Sequence, residues 1–195
     1  MDRLFDGYRR FRTETWPAQR ARYQALAAAG QRPHTLVVAC SDSRVDPATV
    51  FDAGPGELFV IRNVAALVPP WQPGGGYHGT SAALEFGIRV LEVGHLVVMG
   101  HAQCGGIDAI LHGAPGTAQD FVMPWMDIAR DALVPGMTDA EAEAAVVRLS
   151  LANLRTFPWI AAAETAGTLK LMGMRFGIHT GVLSRLGPDG FTPVE

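Results

Sequence analysis

The stretch His34-Thr35-Leu36-Val37-Val38-Ala39-Cys40-Ser41-Asp42-Ser43-Arg44 decides the fold. Up to Ala39 it is apolar and β-branched, lacks Gly and Pro, and has the length of a strand. Cys40 therefore falls at the C-terminal end of a buried strand. If the chain stays extended a little further, Cys40, Asp42 and Arg44 point the same way, because alternate side chains share a face. A thiol, a carboxylate and a guanidinium would then line one wall of a cavity. The pattern returns at His95-Leu96-Val97-Val98-Met99, followed at once by Gly100-His101-Ala102-Gln103-Cys104-Gly105-Gly106. Both cysteines of the chain thus stand at ends of predicted parallel strands. In open α/β sheets that edge is where ligands bind.

Working outward, residues 57–63 read as another strand after the Pro55-Gly56 turn, with a short helix opening at Asp46-Pro47. Residues 69–79 and 113–118 are Gly/Pro loops. Thr80 is placed to cap a helix running to about Glu92, and a further helix spans 105–111. Residues 120–133 are helical by pattern. Thr138-Asp139-Ala140-Glu141 is a capping-box sequence, opening a helix with Val147, Leu151 and Leu154 on one face that stops before Pro158. A short helix at 159–166 leads into two strands, 168–176 and 181–186. Strands alternating with helices predict one α/β domain over residues 1–195, with a mostly parallel central sheet flanked by helices and a C-terminal strand pair. Residues 2–29 form an N-terminal helical arm, with Leu4, Tyr8 and Phe11 on one stripe and Pro17 splitting the segment. Packing of the arm (residues 1–30) on a partner subunit and packing on its own domain are both open.

At 195 residues the chain can bury a sizeable core. With 48% apolar and 18% charged residues it is globular rather than disordered. A formal net charge of −3, without basic runs, gives no nucleic-acid surface. No apolar run approaches the ~20 residues of a membrane span. The expectation is a soluble cytoplasmic protein with reduced thiols; two cysteines make no disulfide framework.

Cys40, His101 and Cys104 together are a thiolate–imidazole–thiolate set of the type that suits Zn²⁺. The fourth position can be Asp42, water or substrate. Three protein ligands with an open fourth position describe a catalytic rather than a structural zinc. Asp42 is placed to accept a hydrogen bond from zinc-bound hydroxide, and Arg44 to hold that carboxylate ionised and oriented. The Gly105-Gly106 pair leaves backbone N–H groups accessible at a helix start, where a developing oxyanion could be received.

Three motifs carry a resemblance: Cys40-Ser41-Asp42-Ser43-Arg44-Val45, Gly56-Glu57-Leu58-Phe59-Val60-Ile61-Arg62-Asn63-Val64-Ala65, and Gly100-His101-Ala102-Gln103-Cys104-Gly105-Gly106. In this order and spacing they closely resemble the β-class carbonic anhydrases. The resemblance implies zinc-dependent interconversion of CO₂ and bicarbonate, a lyase reaction, in a homodimer or dimer of dimers whose N-terminal helices reach over the partner. It implies Cys40, His101 and Cys104 as zinc ligands and Asp42 and Arg44 as the catalytic dyad. It also implies Gln31, Phe59, Val64 and Gly105 at the substrate pocket, with Phe86 replacing a pocket tyrosine. Gln31 favours the open-site, plant-like branch, with Asp42 as a fourth ligand only in a closed state. Val37 stands where bicarbonate-inhibited members carry tryptophan, Ala66 where asparagine is usual, and Ala102 where serine often follows the zinc histidine.

The expected reaction is attack of zinc-bound hydroxide on CO₂. His34, His78, His95, His112 and His179 are candidate proton carriers, His78 foremost. Trp125 and Trp159 read as core. The rival readings are a CS₂ or COS hydrolase on the same scaffold, and a non-catalytic zinc protein or a redox sensor using a Cys40–Cys104 disulfide.

Overall fold

The protein is described by a computed structural model that covers every residue except Gly75, Ala114, Pro115 and Thr117. The apolar runs become β1 (Thr35–Cys40), β2 (Leu58–Asn63) and β3 (His95–His101). Towards the C-terminus lie β4 (Lys170–Phe176), β5 (Leu183–Gly187) and β6 (Gly190–Pro193). Among the described residues they form one sheet in the order β2-β1-β3-β4-β5-β6. The first four are mutually parallel, and β5 and β6 are antiparallel additions. The mostly parallel α/β domain read from the sequence is therefore what forms. The expected C-terminal strand pair also forms, as β4 and β5 are antiparallel neighbours; β4 in addition closes the parallel core, and β6 adds a strand that was not expected. Residues 190–193 are too short, and too rich in Gly and Pro, to read as a strand by pattern; pairing with β5 makes them one.

Strand β1 is buried along nearly its whole length because both faces of the sheet are covered, as parallel sheets require. Leu36 and Val38, with Leu96 and Val98, pack on one face against Leu84, Leu154, Phe157 and Ile160. Val37 and Ala39, with Val97 and Met99, pack on the other. Burying each large aliphatic side chain contributes about 1.5–3 kcal/mol, so the central strands anchor the fold energetically as well as topologically.

The helices are α1 (Asp2–Arg10), α2 (Trp16–Ala29), α3 (Pro47–Val50) and α4 (Gly79–Glu85). They continue with α5 (Gly105–His112), α6 (Val122–Met126), α7 (Asp139–Leu154) and α8 (Pro158–Thr165). Between α1 and α2 lies one π-turn, Phe11–Thr15. It ends just before Pro17 in the first turn of α2; Pro17 has no N–H for an ordinary helical bond, and its ring crowds the preceding turn. Helix α4 starts earlier than expected and is not capped by Thr80, whose Oγ1 accepts from Asn63 Nδ2 at 3.2 Å. The segment expected to be one helix over 120–133 divides into α6 and a 3₁₀ stretch, Asp127–Ala132. The loop expected at 113–118 lies partly outside the described residues, as does Gly75 of the loop at 69–79. No helix of the described residues is long and apolar enough to cross a membrane.

Helix α7 is the long brace behind β3 and β4. Thr138 caps it with the full capping box: Glu141 N–H donates to Thr138 Oγ1 at 3.4 Å, and Thr138 N–H donates to Glu141 Oε2 at 2.8 Å. The helix lies close on the two strands because two glycines face it. A Cβ on Gly100 would stand 2.7 Å from Val147 Cγ2, and one on Gly173 would stand 2.9 Å from Val147 Cγ1. Thr138→Ala removes the cap, and should lower stability by about 1 kcal/mol and the melting temperature by about 2–4 °C. Equilibrium urea denaturation and a thermal melt at fixed protein concentration would check both values.

Candidate metal centre

Strands β1 and β3 are hydrogen-bonded neighbours, with Ala39 opposite Met99. From β1 the chain crosses to β2 on one side, and from β3 it continues to β4 on the other. Cys40 and His101 end the two strands at this divergence, the topological switch point of an open α/β sheet. Cys104 follows as the residue before α5. The two sulphurs are 4.0 Å apart, and the ligand atoms of Cys40, His101 and Cys104 all lie within 4.8 Å of one another. All three residues are buried.

His101 supplies the test of whether a metal fits. Its Nδ1 lies 2.8 Å from the Ala102 carbonyl oxygen, which accepts only from an N–H. That bond assigns the proton to Nδ1 and leaves a lone pair on Nε2. Nε2 is buried without a hydrogen-bond partner. Leaving such a group unsatisfied costs about 1–3 kcal/mol. Two thiolates on a tetrahedral zinc, with Zn–S near ~2.3 Å, would be ~3.8 Å apart. The sulphur separation and the unpartnered nitrogen both fit that ion.

The backbone prepares the sulphurs for negative charge. Peptide N–H groups of Asp42 and Ala65 face Cys40, and those of Gly106 and Ile107 face Cys104. Two adjacent thiols release one proton far more readily than two. The Cys104 S–H stabilises the Cys40 thiolate by a hydrogen bond and pulls it well below the usual thiol range, while the same hydrogen bond, together with burial, pushes Cys104 up. A divalent cation is the partner that lets both ionise.

Asp42 and Arg44 come together, but not by the alternation of an extended strand. Strand β1 ends at Cys40 and the chain turns, with Val45 N–H donating to the Asp42 carbonyl at 3.2 Å. Within the turn, Arg44 N–H and Nε both donate to Asp42 Oδ1 at 2.9 Å, and Nη2 donates to Oδ2 at 2.6 Å. The Arg44 guanidinium holds the Asp42 carboxyl far below the ordinary carboxylate range. The turn itself is gripped by Arg62 on β2. Its Nε and Nη2 donate to the Cys40 carbonyl at 3.0 and 2.8 Å, and Nη2 donates to the Asp42 carbonyl at 2.6 Å. Its Nη1 donates to Asp46 Oδ2 at 3.1 Å, and Asp46 Oδ1 caps α3. Sequence reasoning gave Arg62 no such role, because its contacts are to main-chain oxygens.

Glu143 was also missed. It is 3% exposed on the inner face of α7, accepts the Gln103 N–H at 2.8 Å, and pairs with Arg175 of β4 at 2.6 Å. A signal existed: Glu143 precedes Val147 by one helical turn and interrupts an otherwise apolar stripe.

A cavity of about 930 Å³ opens beside the cluster. Ser41 and Val64 form its wall on the cluster side, and Phe121, Trp125, Tyr77 and His78 are among its other lining residues. Trp125 packs against the core cluster around Cys40, Val45 and Met126 and also lines the cavity; its Nε1 donates to the Val64 carbonyl at 2.9 Å. Gly105 opens α5 beside Cys104, with open space where a side chain would be. Of the expected pocket residues Val64 lines this cavity, whereas Gly105, Gln31, Phe59 and Phe86 are not among its lining residues. Gln31 is exposed between α2 and β1. Phe59 pairs with Leu36 near the far end of β1, ~13 Å along the sheet from Asn63 at ~3.3 Å per residue. It stacks on Phe86, ring centroids 5.8 Å apart. The motif is contiguous in sequence, but an extended strand carries its two ends to opposite edges of the sheet. Of the histidines, His34 and His95 meet edge to face at the opposite sheet edge and His112 pairs with Asp108. Among the described residues, His78 is the histidine that lines the cavity.

Known proteins agree with this geometry. The family described as carbonic anhydrase matches residues 35–183. A carbonic anhydrase of Pseudomonas aeruginosa is 38% identical over 94% of this chain and 86% of its own length. One of Synechococcus elongatus is 33% identical over 93% of this chain and 70% of its own. The β-carbonic anhydrase CcaA superposes with a TM-score of 0.86 at 29% identity, over 100% of this chain and 99% of its own. A β-carbonic anhydrase of Coccomyxa in complex with acetazolamide does so at 0.73 and 26%, over 98% and 86%. A matched family covering most of the chain, a shared mostly parallel fold, and two thiols converging on an unpartnered imidazole lead to one conclusion: the chain belongs to the β-class carbonic anhydrases.

Proposed function

We propose that the protein hydrates CO₂ reversibly to bicarbonate and a proton, with Zn²⁺ held by Cys40, His101 and Cys104. The observation that carries this reading is the buried, unpartnered Nε2 of His101 converging with two sulphurs beside an Asp42–Arg44 pair. Zinc bound there would act as a Lewis acid and bring the pKa of a coordinated water toward neutrality. Asp42, charged throughout the neutral range, accepts a hydrogen bond from the attacking water and orients its lone pair toward CO₂. Arg44 keeps both carboxylate oxygens engaged, which favours the open-site branch, since release to a metal would break three hydrogen bonds. Gly105, at the start of α5, offers a backbone N–H to the developing carbonate oxygens. Val64 supplies apolar wall for the substrate, and His78, in the cavity, is the residue best placed to pass the proton outward.

The protein works as a homodimer or dimer of dimers, with the arm at residues 1–30 crossing to the partner. Helix α1 buries no residue within its own chain, and Leu4, Phe5 and Tyr8 are 72%, 53% and 61% exposed. The second half of the arm is tethered: Arg22 donates to the Pro55 carbonyl at 2.7 Å and pairs with Glu57 at 2.9 Å. Gln31, Phe59 and Phe86 are remote from their own chain's cavity, where they are available to complete a partner's pocket. Related β-carbonic anhydrases of Sordaria macrospora, 25% identical with a TM-score of 0.70 over 100% of this chain and 95% of theirs, are tetrameric. A reducing cytoplasm suits the two free thiols.

Elemental analysis should find one zinc per chain, lost in Cys40→Ser, His101→Ala and Cys104→Ser together with stopped-flow hydration. A metal-free protein with a Cys40–Cys104 disulfide would overturn the reading. Asp42→Ala should keep its zinc and lose on the order of 10²-fold or more in turnover; full activity would remove Asp42 from the mechanism. Leu4→Glu with Tyr8→Glu should shift light-scattering mass toward the monomer, whereas an unchanged mass would return the arm to its own domain.

A further inference from the structure

Glu143 has no part in the reaction as described, yet it is the most deeply buried carboxylate near the site. Burying a carboxylate is unfavourable unless its charge and lone pairs are satisfied, and an apolar residue on this face of α7 would avoid the problem. Its two oxygens have different partners. Oε2 accepts from Arg175 Nε at 2.6 Å, which answers the charge. Oε1 accepts from the backbone N–H of Gln103 at 2.8 Å.

Gln103 lies between His101 and Cys104 and has a φ of +56°, a left-handed conformation that residues with a Cβ seldom adopt. In this conformation it is gripped from both sides. Its N–H meets Glu143, and its carbonyl accepts from Arg44 Nη2 at 3.2 Å. The same Nη2 donates to Asp42 Oδ2 at 2.6 Å. A continuous path therefore runs from Arg175 on β4 through Glu143 on α7 and Gln103 to Arg44 and Asp42. It joins the loop that carries two of the three converging groups to the turn that follows the third.

We propose that Glu143 is a positioning residue for CO₂ hydration: it holds Gln103 in its left-handed turn so that the Gln103 carbonyl places the Arg44 guanidinium, and through it the Asp42 carboxylate. This rests on the functional reading above. Glu143 touches neither substrate nor metal and acts only through the backbone between them. An ionised acceptor makes a shorter, stronger bond to an amide than a neutral one, which is why a carboxylate suits this position better than an amide of the same shape.

Glu143→Gln keeps shape and an acceptor but removes the charge. Kinetics should show kcat lower by about 10–100-fold, the range for groups that orient a metal site from behind, with KM and zinc content unchanged. In an Arg44→Ala background the same change should have less than about a twofold effect, because the path is already cut. In ¹⁵N-labelled wild type, the Gln103 amide proton should resonate downfield and exchange slowly, and should move upfield in Glu143→Gln. Wild-type kcat in Glu143→Gln, an equal loss in the Arg44→Ala background, or a loss that tracks zinc content would each overturn the proposal. If the variant does not fold, a rapidly exchanging Gln103 amide in the wild type overturns it alone. Zinc-loaded wild type that fails to hydrate CO₂ would overturn the functional reading itself, and Glu143's part with it. Hydration that survives intact in Glu143→Gln removes Glu143 only.

Discussion

Two thiols and an imidazole nitrogen are buried within 4.8 Å of each other, and among the described residues the nitrogen has no hydrogen-bond partner of good geometry. Everything else at this end of the sheet is arranged around that constraint. Left alone, the cluster is unfavourable: two sulphurs compete for one proton, and a lone pair faces nothing. The fold nonetheless builds it from its most rigid parts, the ends of two central strands buried on both faces. Dense packing lets the core hold such a cluster in place without collapse of the neighbouring chain. The β-class membership of the chain and the chemistry of the donor set describe the same cation from independent directions.

Around the cluster the chain uses its polar groups to fix geometry. Arg62 collects main-chain oxygens from the turn after β1 and ties that turn to α3. Trp125 holds the Val64 carbonyl. Val64 opens a stretch in which Ala65 and Ala66 both have positive φ, a conformation that turns the Ala65 N–H toward the Cys40 sulphur. Such strain persists only where surrounding structure over-determines it. Here Ser150 of α7 does so, donating to the Ala66 carbonyl at 3.3 Å and accepting from Val68 N–H at 3.2 Å. Helix α7 thus braces both loops of the site, and it reaches them because Gly100 and Gly173 leave room for Val147.

Large apolar side chains also remain on the surface. The chain leaves Leu4, Phe5, Tyr8, Phe86 and Val90 exposed. Water contact over so many large side chains is unfavourable, and a concentration of them marks an interaction face. The cavity beside the cluster is lined by its own chain, with Val64, Tyr77, Phe121 and Trp125 among the lining residues, whereas Phe59 and Phe86 stack on each other elsewhere.

Much was legible in the sequence because it was local. The β1 and β3 runs announced themselves by composition, and Cys40, Asp42, Arg44, His101 and Cys104 were found because rare chemistry stood next to strand ends. The capping box at Thr138 was readable because its bonds span only one helical turn. The tertiary structure decided what depends on contacts distant in sequence. Phe59 and Val64 share a motif but not a location, since each strand residue advances the chain by ~3.3 Å. Asp42 and Arg44 meet through a turn set by Arg62, not through strand alternation. Glu143 reaches Gln103 across forty residues, and β6 is a strand only because β5 lies beside it. Periodicity reports which face of an element is apolar, while hydrogen bonds between separate elements appear only once packing has brought their partners within reach.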